Sequence, residues 1–296
     1  MGAPTWRRSF STWPADGGGR RRNDGDTPER PARFSPGRVG ALVLRYTYLL
    51  RASWPRLFDL VYWPTVQLVM WGFLQVYLAG RSDALSLAAG TFLGAVLLWD
   101  VLFRGQIGFT ISFLEEMWSR NLGHLIVSPL RPAELIAALM TMSVIRVLMG
   151  LFPVTLLAIA YFGFNVYEMG LWLVAFFLNL IVTSWAVGLV VCGILLRYGL
   201  GAENIAWSLM FLFLPLACVY YPVDVLPGWL QAIALCLAPT YVFEGMRALL
   251  LDGVVRPGMM LRAVGLNIVY FTLGATVFAL FYRDARRRGQ LLSIGE

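Results

Sequence analysis

Long apolar runs separated by short polar islands organise the chain. Residues 57–79, 87–113, 133–162, 170–196, 204–221 and 262–282 form six such runs, and a helix needs roughly 20 apolar residues to cross a bilayer. The pattern therefore predicts an all-α integral membrane fold with six transmembrane helices. Residues 222–251 break the rhythm. Pro222, Pro227-Gly228 and Pro239 divide them into two apolar pieces, 228–237 and 240–251. At about 1.5 Å per residue each piece reaches only half-way through the hydrocarbon. A re-entrant pair, or two helices in the outer interface, fits this stretch better than a span, with its backbone shielded by protein.

Ahead of the first run, Leu42, Val43, Tyr46, Leu49 and Leu50 alternate with Arg38, Arg45 and Arg51. Residues 36–56 therefore read as an amphipathic helix along the inner membrane surface, its arginines near anionic lipid head groups and Pro55 at its end. Residues 1–35, rich in Gly, Pro, Arg and Asp, have little to bury and are expected to be disordered.

Composition reinforces the membrane reading. Of 296 residues 58% are apolar and 14% charged, where a soluble domain carries about 25% charged residues. Net charge sits at the ends: residues 1–56 carry +7, residues 57–282 carry −2 and the tail from Arg283 carries +2. Excess arginine beside spans marks the cytoplasmic face, so both termini are expected inside, with 1–35 and 286–296 as cytoplasmic tails. The basic N-terminus is read as a membrane-surface charge, and no nucleic-acid partner is expected.

All 24 basic residues are arginine and His124 is the only histidine. Without lysine there is no Walker A phosphate loop and no Schiff base; with one histidine there is no multi-histidine metal site. No catalytic, cofactor-binding or metal-binding residue is expected, and ATP, if it powers the protein, must be bound by another chain. Cys192, Cys218 and Cys236 read as buried thiols outside any disulfide framework.

Two clusters carry the candidate chemistry. The polar island 115–134 joins the second and third runs at the inner face, with Leu122, Leu125 and Ile126 on one side of a short helix and Glu116 paired to Arg120 at i, i+4. Pro129 and Pro132 stop that helix and start the next, with Glu134 at its positive end. Deeper in the bilayer, Asp100 and Arg146 lie about 20 Å from the inner ends of their runs and Arg104 about 13 Å. Charges at such depth cost several kcal/mol each unless paired or wetted. Asp100 is expected to pair with Arg104, Arg146 or both, as a structural bridge or as a wall of a substrate path. Trp71, Phe73, Tyr77, Phe211, Phe213 and Tyr220 suit either an exit path or an aromatic belt.

The island's wording, Glu115-Glu116-Met117-Trp118-Ser119-Arg120-Asn121-Leu122 leading into Val127-Ser128-Pro129-Leu130-Arg131-Pro132-Ala133-Glu134, resembles the inner loop of the permease subunits of type-2 ATP-binding-cassette exporters. A second stretch resembles the same family's C-terminal signature, the pair of short outer helices before the sixth span. It runs from Tyr221-Pro222-Val223-Asp224-Val225-Leu226-Pro227-Gly228 to Ala238-Pro239-Thr240-Tyr241-Val242-Phe243-Glu244-Gly245-Met246-Arg247. Its marker residues are Pro222, Pro227, Pro239, Glu244 and Arg247. The resemblance covers roughly 36–285.

It implies a six-span permease domain in a bacterial cytoplasmic (inner) membrane, working as a homodimer or with a paralogue. A separate ATP-binding-cassette ATPase would use the ATP. Glu115, Glu116, Trp118, Arg120, Leu122 and His124 would then couple to that ATPase, in or near its groove. An ion-coupled secondary transporter and a non-transporting membrane scaffold are the alternatives.

Overall fold

The computed structural model describes residues 34–80, 83–123, 128 and 130–287. The expected tails, apart from their innermost residues, lie outside the described residues, as do His124, Leu125 and Ile126. Nine α-helices of seven or more residues follow in order among the described residues: α1 Pro36–Arg51, α2 Trp54–Ala79, α3 Asp83–Trp118, α4 Pro132–Phe162, α5 Leu171–Tyr198, α6 Asn204–Leu216, α7 Gly228–Ala234, α8 Ala238–Asp252 and α9 Pro257–Arg287.

Proline and glycine punctuate these helices. α1, α2, α4 and α8 each carry proline at the first or second position, where its missing N–H has no intrahelical partner to lose. Pro55 therefore begins α2 instead of ending α1, which stops earlier, at Arg51. Gly163 and Gly253 close α4 and α8 in the left-handed conformation, at φ 63° and 65°, which glycine adopts without a Cβ penalty.

Five helices are long and apolar enough to cross a bilayer: α2, the Thr91–Trp118 part of α3, α4, α5 and α9. α7 and α8 meet at a 98° bend and would add a sixth such segment only if the bent pair were one span. The expected fifth span over 204–221 differs from the observed structure. Its helix, α6, has 13 residues and reaches only about 20 Å. Pro215 lies in its last turn, and Cys218 at φ 53° turns the chain away from a helical path.

Contacts fix the directions of the long helices. Gly150 of α4 faces the Leu60 carbonyl of α2, and Gly72 of α2 faces Phe162 of α4, so these two helices are parallel. Gly105 against Ser184, with Phe109 against Gly188, makes α3 parallel to α5. α5 and α9 are likewise parallel, through Asn179 with Asn267 and Ala186 with Gly274. α3 runs against α4, since Gly108 meets Ser143 while Arg104, one turn earlier, approaches Gly150. α2 and α4 thus point one way, and α3, α5 and α9 the other.

α3 is the central helix. Its apolar window is 89% buried, against 17% for α2 and for α9, so the outward faces of those two remain for lipid or another chain. Between α5 and α9, a polar set reinforces the packing: Thr183 Oγ1 donates to Asn267 Oδ1 at 2.6 Å, and Asn267 Nδ2 donates to the Asn179 carbonyl at 3.0 Å. Interhelical hydrogen bonds and small residues are the usual means of packing where no water is present to drive association.

A Cβ on Gly274 would lie 2.6 Å from the Ala186 carbonyl oxygen, while one on Gly265 of the same helix would meet nothing within 4 Å. Gly274→Ala is expected to destabilise by about 1–3 kcal/mol through overpacking. Gly265→Ala should be neutral or slightly stabilising. Thermal melting of the two variants in detergent checks the contrast.

Cys192 and Cys218 are buried, but Cys236 is exposed in the turn between α7 and α8, a correction to the expected trio of buried thiols. Its carbonyl accepts a hydrogen bond from the Tyr270 hydroxyl, tying that turn to α9.

Candidate functional site: charges at the C-terminal end of α3

Three carboxylates at the α3 and α4 ends hold arginines from the preceding helices. Glu134, fully buried in the first turn of α4, takes Arg38 Nη2 at 2.6 Å and Nε at 2.9 Å. It also accepts the backbone N–H groups of Ser35 at 2.8 Å and Arg131 at 2.9 Å. The carboxylate raises the Arg38 guanidinium above its ordinary value through that hydrogen bond. Glu116 pairs with Arg45 at 2.9 Å and accepts from Asn121 Nδ2 at 2.7 Å. Tyr46 is fully buried, and burial, followed by the Glu116 charge, holds its phenol far above the usual range. Glu115 takes Arg56 from α2 at 3.1 Å and Arg146 from α4 at 3.2 Å.

This arrangement corrects one expected pairing and, of the two partners expected for Asp100, keeps Arg104. Glu116 does not pair with Arg120 along one helix, because α3 ends at Trp118 and Arg120 adopts φ 53°. Arg146 pairs with Glu115 in place of Asp100. The Arg146 stem packs against α3 at Gly108, where an added Cβ would be in van der Waals contact with its Cδ at 3.4 Å. The side chain runs along α3 toward its C-terminal end, as long cationic side chains do toward the rim of a bilayer. Asp100 keeps Arg104 alone, at 3.5 Å, an ion pair longer than a hydrogen bond.

Of the island residues, Glu115, Glu116 and Leu122 are buried within this chain. Trp118, 45% exposed, and the exposed Ser119 and Arg120 form the surface of the turn. Among the described island residues these three form a continuous exposed surface; His124 lies outside the described residues.

Arg104, Arg146, Glu115 and Arg56 also line a cavity of about 770 Å³ between α2, α3, α4 and α6. Asp59 and Gln67 add polar atoms, and Trp63, Phe103, Trp207 and Phe211 supply an aromatic wall. Phe103 touches both Trp207 and Phe211, with ring centroids 6.0 and 5.9 Å apart. The other singled-out aromatics go elsewhere. Trp71 stacks on Tyr220 at 4.2 Å, and Phe73 meets Phe162 edge-on, so these rings do not form one continuous line.

The outer motif is a clamp. Arg247 donates Nη2 to the Cys218 carbonyl at 2.8 Å and Nη1 to the Val219 carbonyl at 3.2 Å. Its Nη2 also meets Glu244 Oε1 at 2.8 Å, and the same oxygen accepts the Val223 N–H at 2.9 Å. Pro222 precedes the short 3₁₀ turn Val223–Val225, Pro227 precedes α7, and Pro239 sits in the first turn of α8.

The arginine partners of Glu115, Glu116 and Glu134 were not legible as pairs. They lie 59, 71 and 96 residues away, and the seven-residue spacing of Arg38 and Arg45 marks a helix face without saying what covers it.

Comparison with known families matches residues 46–251 to the ABC-2 type transporter. No curated protein matches the chain. The matched region runs from α1 through the island, the charge clusters and the outer clamp to the end of α8, well over half of the sequence. The chain therefore belongs to the ABC-2 type transporter family, as a multi-pass transmembrane component of a transporter.

Proposed function

We propose that this protein forms the membrane path of an ATP-driven exporter, as a dimer of permeases engaged by a separate ATPase at the Trp118–Arg120 turn. One observation carries the reading. The most buried helix, α3, ends in that exposed turn while Glu115 and Glu116, just before it, hold α1, α2 and α4 through ion pairs. A force applied to the turn would be shared at once by four helices. Family membership supports an ATP-binding partner, since these permeases normally work with one.

Six crossings, with both ends on the cytoplasmic side of a bacterial membrane, accord with the helix directions. α5 and α9 are parallel, so six crossings require a return between them, a role we infer for the short helix α6 continued by residues 217–222. The exposed apolar faces of α2 and α9 suit lipid and a second permease. Ion-coupled transport is a second reading, resting on Asp100, whose two buried carboxylate oxygens lack hydrogen-bond partners among the described residues.

Affinity purification of the tagged protein from native membranes in mild detergent tests the primary reading. A stoichiometric ATPase is expected to co-purify. Its absence from a stable preparation would remove the exporter and favour the ion-coupled alternative.

A further inference from the structure

The charged groups lining the 770 Å³ cavity, Arg56, Arg104 and Arg146 against Asp59 and Glu115, sum to one positive charge; Asp100, paired to Arg104 behind the wall, brings the total to zero, but the charges are divided in space. Toward the C-terminal end of α3, two guanidinium groups, Arg56 and Arg146, share the single carboxylate of Glu115, leaving one positive charge in excess. Around Arg104 the balance reverses: it is paired loosely with Asp100, and Asp59 acts on it from α2 through space. One negative charge is in excess there. The Arg146 side chain is 6% exposed and its Nε has no acceptor among the described residues. Arg104, 10% exposed, has the same deficiency. Donors buried this deeply normally have partners.

Arg56 and Asp59 stand three residues apart on α2, so their side chains emerge about 5–6 Å from one another. A phosphate joined to an ammonium by a short linker matches both the spacing and the signs. Trp63, Trp207 and Phe211 extend the cavity with apolar surface for an alkyl tail.

We propose that this cavity binds a zwitterionic amphipath of the phospholipid type, its phosphate on Arg56 and Arg146 and its ammonium on Asp59. That such a molecule is cargo rests on the transport reading above; its binding does not.

The test uses the full chain purified in detergent, without any ATPase, so that each idea can fail independently of the other. Dissociation constants are measured for dihexanoylphosphatidylethanolamine, dihexanoylphosphatidylglycerol and soluble phosphoethanolamine. The ethanolamine lipid should bind about tenfold more tightly than the glycerol lipid, the value of one charge-assisted hydrogen bond. Asp59→Asn should bring that ratio to about one, Asp59→Glu should restore it, and Arg56→Gln should weaken both lipids. Both positions are exposed on α2, so the variants are expected to fold. Equal affinity of wild type for the two lipids, or an unchanged ratio in Asp59→Asn, would overturn the proposal. Phosphoethanolamine binding as tightly as the lipid would overturn the part assigned to the aromatic wall.

Discussion

Glu115→Ala should cost about 3–5 kcal/mol of stability, the penalty for leaving a buried guanidinium without its counter-charge. Arg146 is the residue stranded. Its side chain is 6% exposed, its pairing within hydrogen-bond reach is with Glu115 at 3.2 and 3.3 Å, and its stem is held against α3 at Gly108. Arg56, 47% exposed, can turn to water and suffers little. Adding Arg146→Met to Glu115→Ala removes the stranded charge and keeps the stem's volume. The double variant should recover most of the loss, because apolar replacement of a whole buried pair is often neutral. Thermal melting in detergent and the folded fraction on size-exclusion give the readout. Equal melting of the single and double variants would refute the pairing. For Asp100→Ala the structure assigns a different rescue, Arg104→Met, since Arg104 is the group paired to it.

Arg247→Ala should open the turn between α6 and α7. The guanidinium ties the carbonyls of Cys218 and Val219 to Glu244, and Glu244 in turn holds the Val223 N–H. Hydrogen bonds to charged groups contribute about 1.5–3 kcal/mol each, so losing three at once should cost about 3–5 kcal/mol after partial compensation by water. Arg247→Lys should restore less than half, because an ammonium cannot fork between two carbonyls and a carboxylate. Cys218 is a reporter, being buried and held at φ 53° inside the clamp. In a Cys236→Ser background, maleimide should label it faster in Arg247→Ala than in the parent. Unchanged labelling together with unchanged melting would show that the clamp has no energetic weight.

Much of the fold was legible because bilayer thickness sets how long an apolar run must be. The runs at 57–79, 87–113, 133–162, 170–196 and 262–282 all fall on long helices, and the prolines of 222–239 fall where the chain bends. α6 was not legible. Leu216 to Tyr221 are as apolar as a span, but the chain turns there because Arg247, 28 and 29 residues later, captures the carbonyls of Val219 and Cys218. A window of hydropathy contains no information on a bond at that distance.

The candidate site was legible as residues and not as pairs. Asp100 with Arg104 is a local i, i+4 relation, and it was found. Glu115, Glu116 and Glu134 were singled out, but their partners arise from the packing of α1 and α2 on the ends of α3 and α4. Spacing alone places the amphipathic face of Arg38 and Arg45 at lipid head groups. Instead it meets protein carboxylates, which supply the same negative charge at closer range. Arg146 shows the same limit. Its depth along α4 points to Asp100, whereas the long stem, packed against α3 at Gly108, carries its charge to Glu115.

The central claim is that a partner ATPase engages the end of α3, and cross-linking from that turn tests it most directly. A photoreactive phenylalanine analogue is placed at Trp118, 45% exposed beside Glu115 and Glu116, and separately at Trp229 of α7, 68% exposed beyond the outer clamp. Both proteins are irradiated in native membranes. A cross-linked ATPase from position 118 and none from 229 is the predicted result. An ATPase captured from 229, or from neither position while it still co-purifies, would contradict docking at this turn.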